Sequence, residues 1–431
     1  MPAVPSWRGV VLLGAATVLS DAGSGSWWAS YRQVWAVPGS SFSVVGALAR
    51  LPQAMVGLGA VVMITGLGGS YTVAGAVAGA ISLSQGLLAP QISRLADRLG
   101  QRRVLAPQAI AAITTLAGLV VAAYLRAPVW ALVGLGAAVG VSVPQIGAFA
   151  RARWTALLRH DRRLDTALAI ESLIEEAVFV IGPVFVVAAA TVVAPGAGLV
   201  VAAFLVAVGC GLFLAHRSTE PAPQPAATEG RRTRATSHAG LWVLIAVFLS
   251  IGVLFGLIEV GVVALTRELD QPGVSGAMLA AWAGASLIAG IAYGSRTWDT
   301  APAHRLLIGV AGMVAGSVLV AVLTSSLALA TIALAIAGLA NAPTLITGNA
   351  LVTRVVPAHA ATEAYTWLGV TIFAGIAVGA PLGGTLIDRL GADAALWAAT
   401  GAGVVALTAA VIGRRRLRAT PAGHHSLGRS G

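Results

Sequence analysis

The 431-residue chain has no lysine, one cysteine and few charges, which make up 10% of its residues. A lone cysteine, Cys210 in an apolar run, excludes an intramolecular disulfide framework. Without lysine there is no phosphate-binding loop ending in Gly-Lys-Ser/Thr, which speaks against ATP-driven work by this chain alone. No soluble catalytic constellation appears either, so an enzyme is not expected. Charge this sparse does not coat a soluble protein of such length.

What is present instead is apolar sequence. Hydrophobic residues make up 57%, and mean hydropathy is +0.87. Apolar runs recur from Phe42 almost to Ile412. A span needs about 20 such residues to cross the hydrocarbon of a bilayer. Twelve helices are predicted, at 43–65, 72–92, 104–125, 128–150, 166–190 and 193–215, then 240–265, 273–295, 305–325, 327–352, 363–387 and 393–413. The fold class is therefore all-α integral membrane, in two six-helix bundles. Trp130, Trp242 and Trp397 fall near predicted span ends, where interfacial belts collect tryptophan.

A net charge of +11 raises the question of nucleic acid. The placement of the arginines answers it. Loops assigned to one side hold Arg94, Arg98, Arg102 and Arg103, then Arg151, Arg153, Arg159, Arg162 and Arg163, and further arginines up to Arg354. Loops assigned to the other side hold Arg126, Arg267 and Arg389. The positive-inside rule explains that bias without a polyanionic partner and sets both termini in the cytoplasm. The lipid bilayer is the partner it implies.

The layout read from these features has five parts. Residues 1–41 form a cytoplasmic or interfacial segment or an upstream extension, because Val10–Leu19 is too short to span. A six-helix bundle covers 42–215 and a second covers 240–413. Between them, 216–239 is rich in Pro, Thr, Ala and Arg and reads as a flexible cytoplasmic linker. A basic cytoplasmic tail occupies 414–431. The halves echo each other: Asp165 and Pro183 recur as Glu363 and Pro381, and Pro144 in the fourth helix is matched by Pro343 in the tenth.

The stretch Ser93–Arg103 places one acid, Asp97, among four arginines between two apolar runs, and reads as a charged hairpin turn. Asp97-Arg98-Leu99-Gly100 followed by Arg102-Arg103 resembles the signature loop of the major facilitator superfamily, with Ser93 in place of its first glycine and Gln101 in place of a basic residue. Gly294-Ser295-Arg296 is a weaker echo in the second half. Gly375, Gly379, Pro381, Gly383 and Gly384 are similar to the glycine–proline helix-bend motif of antiporter members, and Gly182-Pro183 keeps part of it in the fifth helix. Tyr31–Met55 and Pro144–Trp154 look like drug-efflux-like members common in actinobacteria. The resemblance implies a monomeric transporter with a central cavity that works by alternating access, with Asp97 as a gating latch. The loop's other reading is a solvated basic turn that sets topology. Efflux members often carry an arginine in the fourth helix, and 130–150 has none.

Charges inside predicted spans are costly, so they mark candidate sites. The fifth helix holds Glu171, Glu175 and Glu176, of which the first two share a face. They read as carriers of a coupled proton or contacts for a cationic substrate, or as structural partners of Arg50 in the first helix. Arg50 in turn snorkels, pairs with a glutamate or meets an anionic substrate. Glu259 reads as an outward-side proton or substrate site or as an interfacial acid. Gln145, Asn341 and Trp367 are cavity candidates, with helix–helix packing the competing reading. Asp388-Arg389-Leu390-Gly391 imitates the signature turn but falls on the opposite side, and is expected to be a plain helix end. His424-His425 lacks the partners of a metal site, and neither metal nor cofactor is expected. The function expected is a proton-coupled exporter of small molecules. The alternatives are a sugar or metabolite importer or facilitator, or a non-transporting membrane sensor.

Overall fold

The computed structural model describes residues 32–159, 161–223, 235–296, 298–357 and 360–418. Among the described residues it is all-helical, with twelve helices long and apolar enough to cross a membrane. In the first half these are α1 Ser41–Gly66, α2 Tyr71–Leu99, α3 Gln101–Tyr124, α4 Val129–Leu157, α5 Arg163–Val192 and α6 Ala197–Ala215. In the second they are α7 Ala239–Glu268, α8 Ser275–Gly294, α9 Pro302–Val322, α10 Leu327–Val355, α11 Ala361–Leu390 and α12 Ala392–Arg418. The arginine-rich end of the bundle is called the inner end below, and the opposite one the outer end.

Two spans are broken. Helix α4 parts between Val129–Ser142 and Ile146–Leu157, where Pro144 leaves a carbonyl without its donor. Helix α10 parts between Leu327–Gly338 and Asn341–Val355, and Pro343 lies in the first turn of the second piece, where its missing N–H costs little. Helices α5 and α11 run unbroken through Pro183 and Pro381. The glycines around Pro381 therefore serve close packing rather than a break: Gly375 and Gly379 lie on the backbone of Leu249 and Val253 in α7, and Gly383 lies against Leu257. Gly182 sits likewise against Ala54 of α1.

Several helices outrun their apolar segments. The predicted charged turn Ser93–Arg103 is instead the last turns of α2 and the first of α3. The chain reverses at Gly100 alone, whose φ of +93° needs glycine. Nothing from Ser93 to Leu99 breaks a helix, because charge limits burial in lipid and not helical geometry. Arg151 and Arg153, counted above among loop residues, are likewise helical, in the second piece of α4. Residues 414–418 continue α12 rather than beginning a free tail. The described ends of the linker form short turns, Arg217–Thr219 and Ala235–Ser237. Its middle, 224–234, and the expectations for 1–31 and 419–431 lie outside the described residues.

Helices α1 and α7 are the most buried of the twelve. Helix α1 packs on α2, α5 and α6, and α7 on α11 and α12. The halves meet along α2 with α11 and α5 with α8. The close approaches run from the outer end to mid-depth, where Gly86 of α2 lies against Phe373 of α11. Gly75 and Gly79 of α2 lie on the carbonyls of Ala380 and Ala377, Gly384 on that of Tyr71, and Gly276 of α8 on that of Pro183. Arg267 of α7 donates across the interface to the Val62 carbonyl of α1 at 3.3 Å. The inner pieces of α4 and α10 form no packed interface with each other. The bundle is closed outside and parted inside.

Candidate functional site

Arg50 lies nine residues into α1 and Glu171 eight into α5, each about 12–14 Å from the inner helix end at 1.5 Å per residue. Both side chains are fully buried and joined as an ion pair, Arg50 Nη2 donating to Glu171 Oε2. Oε1 of Glu171 accepts from Ser43 Oγ at 2.5 Å and from Trp154 Nε1 at 2.8 Å. A buried pair holds only when its remaining lone pairs are also served. Here α1 supplies two donors, Arg50 and Ser43, and α4 a third, Trp154, so Glu171 of α5 ties three helices together.

Glu175, one turn further along α5, is held more loosely. Gln53 Nε2 donates to its Oε1 at 2.5 Å. Its Oε2 lies 3.9 Å from Arg50 Nη1 and 4.0 Å from Arg151 Nη2, and accepts no hydrogen bond among the described residues. The side chain is 24% exposed. Gly147, in the inner piece of α4, makes room for this carboxylate: a Cβ there would stand 2.7 Å from Oε2. Gln145 sits at the break of α4 with its Nε2 buried and unpaired. One cation, Arg50, thus faces two carboxylates, with Glu171 in full contact and Glu175 in partial contact.

The other candidates stand apart from this cluster. Glu176 is half-buried and makes no ion pair among the described residues. Glu259 is half-buried in the outer half of α7, with an oxygen 3.8 Å from where a Cβ on Gly57 of α1 would lie. It too has no ion-pair partner among the described residues. Asn341 is buried at the break of α10. Trp367 is 40% exposed on α11.

At the inner end Asp97 is exposed and makes no ion pair among the described residues. It lines a groove with Gln101, Thr155, Arg159 and Pro221. Arg98 and Arg103 are exposed, while the backbone N–H of Arg102 donates to Glu220 Oε1 at 2.8 Å. Glu220, a residue of the linker, therefore supplies the negative group at the start of α3.

The residue that motif reading missed here is Arg153. It is 1% exposed and makes no contact ion pair among the described residues, with Glu220 acting on it only at longer range. Its Nε donates to Gln101 Oε1 at 2.9 Å, and Nη1 donates to the Phe213 and His216 carbonyls and to Thr219 Oγ1 at 3.0–3.2 Å. Its guanidinium lies 3.8 Å from the centroid of the Phe213 ring. The second half uses other residues: Arg305 Nη1 donates to Tyr293 Oη at 2.8 Å, and Tyr293 stacks on Trp298. Only the interruption of the motif at Gln101 hinted that an arginine from elsewhere fills that place.

Twelve spans in two halves, closed at one end and carrying buried ionic groups at mid-depth, define a carrier-type membrane transporter. Residues 42–303 match the Major Facilitator Superfamily, and the chain belongs to that family. No curated protein sequence matches it. Among solved structures, a mutant of the nucleoside transporter NupG is 16% identical and superposes over 87% of this chain and 99% of its own, with a TM-score of 0.67. A bacterial homologue of the iron transporter ferroportin in an inward-facing state is 13% identical over 86% and 98%, TM-score 0.67. A bacterial homologue of the human lysosomal transporter Spinster, inward-facing and unoccupied, is 16% identical over 89% and 98%, TM-score 0.65. At these identities the likeness is one of fold. The protein is a multi-pass membrane transporter with a small-molecule substrate.

Proposed function

We propose that the protein is a proton-coupled exporter of small molecules, working by alternating access as a monomer in the cell membrane with both termini in the cytoplasm. The arginine bias of the loops supports the topology. The similarity of Tyr31–Met55 and Pro144–Trp154 to drug-efflux-like members supports export. The observation that carries the coupling is Glu175: a mid-span carboxylate, partly exposed, with one oxygen lacking a hydrogen bond. Such a group binds and releases a proton without dismantling the fold, because Arg50 keeps its contact with Glu171 when Glu175 is neutral. Protonation of Glu175 from outside and release inside then exchanges one proton for one substrate movement. Gln145, Asn341 and Trp367 line the substrate path in this reading, with Glu176 and Glu259 available to cationic groups.

Purified protein in liposomes with an imposed pH gradient tests this. A panel of fluorescent amphipathic compounds is expected to move against its gradient, and Glu175→Gln is expected to lose that movement while keeping substrate exchange. Equilibration that ignores the pH gradient in both proteins identifies a facilitator instead. Silence across the panel favours a sensor.

A further inference from the structure

Helix α2 starts at the outer end with four backbone N–H groups that have no partner within the helix. Ser70 Oγ serves one of them, accepting from Val73 N at 3.2 Å, while its carbonyl takes the first ordinary helical bond, from Ala74 N at 3.1 Å. Two more go to the opposite half. Tyr71 N donates to Asp388 Oδ1 at 2.9 Å, and Thr72 N to Oδ2 at 2.7 Å. Thr72 Oγ1 adds a third bond to Oδ2 at 2.7 Å. The first turn of α2 is completed by a carboxylate from α11.

Within its own helix Asp388 is misplaced. It lies in the last turn of α11, where a negative charge opposes the helix dipole. The first turn of α2 has no acid of its own. Both anomalies disappear once the two helices are side by side, which Gly75, Gly79 and Gly384 permit. Asp388 lies at a helix end, as expected, and in addition caps the start of α2.

The tetrapeptide Asp-Arg-Leu-Gly ends both helices, at Asp97–Gly100 in α2 and at Asp388–Gly391 in α11. Each glycine has a left-handed φ, +93° and +88°. The two helices run antiparallel, so one tetrapeptide lies at the inner end and the other at the outer end. Asp388, at the closed end, is engaged. Asp97, at the parted end, is exposed and makes no ion pair among the described residues.

We propose that Asp388 is an outer latch, which caps α2 while the outer end is closed and releases it when the transporter opens outward. The two tetrapeptides form a reciprocal pair, with one engaged in each state. This rests on the alternating-access reading above.

The test is to measure distances between spin labels in the full chain without substrate, in a Cys210→Ala background. The outer pair is Leu125→Cys with Gln271→Cys and the inner pair Arg162→Cys with His304→Cys, all at exposed positions. Asp388→Asn keeps the shape and removes the charge. It is expected to lengthen the outer distance and shorten the inner one, raising the ratio of outward-open to inward-open protein on the order of tenfold, the size of one lost charge-assisted hydrogen bond. Thr72→Val, which removes one bond, is expected to shift the ratio the same way by a few-fold. Asp97→Asn is expected to shift it the other way. A ratio unchanged in Asp388→Asn, or shifted equally by Asp97→Asn in the same direction, overturns the latch. If Asp388→Asn does not fold, an unchanged ratio in Thr72→Val overturns it. Because no substrate is present, failure of the transport assay and failure of the latch are read separately.

Discussion

Arg50 of α1 and Glu171 of α5 form an ion pair in which neither side chain is exposed. Breaking such a pair from one side leaves a buried charge, at a cost of about 3–5 kcal/mol. Arg50→Ala and Glu171→Ala are each expected to lose that much stability, seen as a large fall in the thermal melting point in detergent. The double change to Arg50→Met with Glu171→Leu is expected to recover much of it, since the fully buried pair is gone and Glu175 keeps Arg151 and Gln53. Single variants that melt like the parent would show that the pair holds nothing together.

Glu175 depends on the space left by Gly147. A Cβ at that position would stand 2.7 Å from the carboxylate, which is the flexible end of a side chain and can move. Gly147→Ala is therefore expected to fold normally, within about 1 kcal/mol of the parent. The carboxylate is displaced from Arg50 and Arg151, so the pH profile of gradient-driven transport is expected to shift. A melting curve and a pH profile together check this. An unchanged profile separates Glu175 from proton coupling.

The membrane fold was legible in the sequence because lipid imposes one simple rule, a run of apolar residues long enough to cross. All twelve spans follow from it. Their ends did not, since Ser93–Leu99 and residues 414–418 carry charges that stop burial in lipid but leave the helix intact. Arg50 and the α5 glutamates stood out because charge within a span needs a reason. Which glutamate Arg50 grips was not readable, because Glu171 and Glu175 share one helix face. The roles of Ser43 and Trp154 depend on how α1, α4 and α5 meet. Arg153 looked like one more arginine in a basic loop until the end of α6 was seen to cover it. Asp388 was visible as a repeated tetrapeptide, but its partner is the start of a helix more than 300 residues earlier.

The Gln101–Arg153 bond predicts that restoring the basic residue of the family signature is harmful. Gln101 is buried and uses both ends of its amide, accepting from Arg153 Nε and donating to the Phe149 carbonyl at 3.1 Å. Gln101→Arg sets a second guanidinium beside Arg153, while the nearby acid, Glu220, is already engaged by the Arg102 N–H. A loss of about 2–3 kcal/mol is expected, with Arg153→Lys close behind, because lysine cannot hold the same fork of acceptors. Denaturation in mild detergent measures both. A stabilised Gln101→Arg would refute this account of the α3–α4 contact.

Glu259 is a half-buried acid at the α1–α7 contact, with no ion-pair partner among the described residues. Unlike Glu171 it joins no helices, so Glu259→Gln is expected to change stability by less than about 1 kcal/mol. A carboxylate in that setting attracts a cation, and the transported molecule is one that can supply it. Glu259→Gln is therefore expected to raise KM for cationic substrates about tenfold, the effect of one charge-assisted contact, and to leave neutral substrates unaffected. Gradient-driven accumulation of neutral substrates is expected to persist, since the proton stays with Glu175. Initial-rate measurements with a matched cationic and neutral pair decide it. Equal losses for both would assign Glu259 to proton movement rather than to substrate charge.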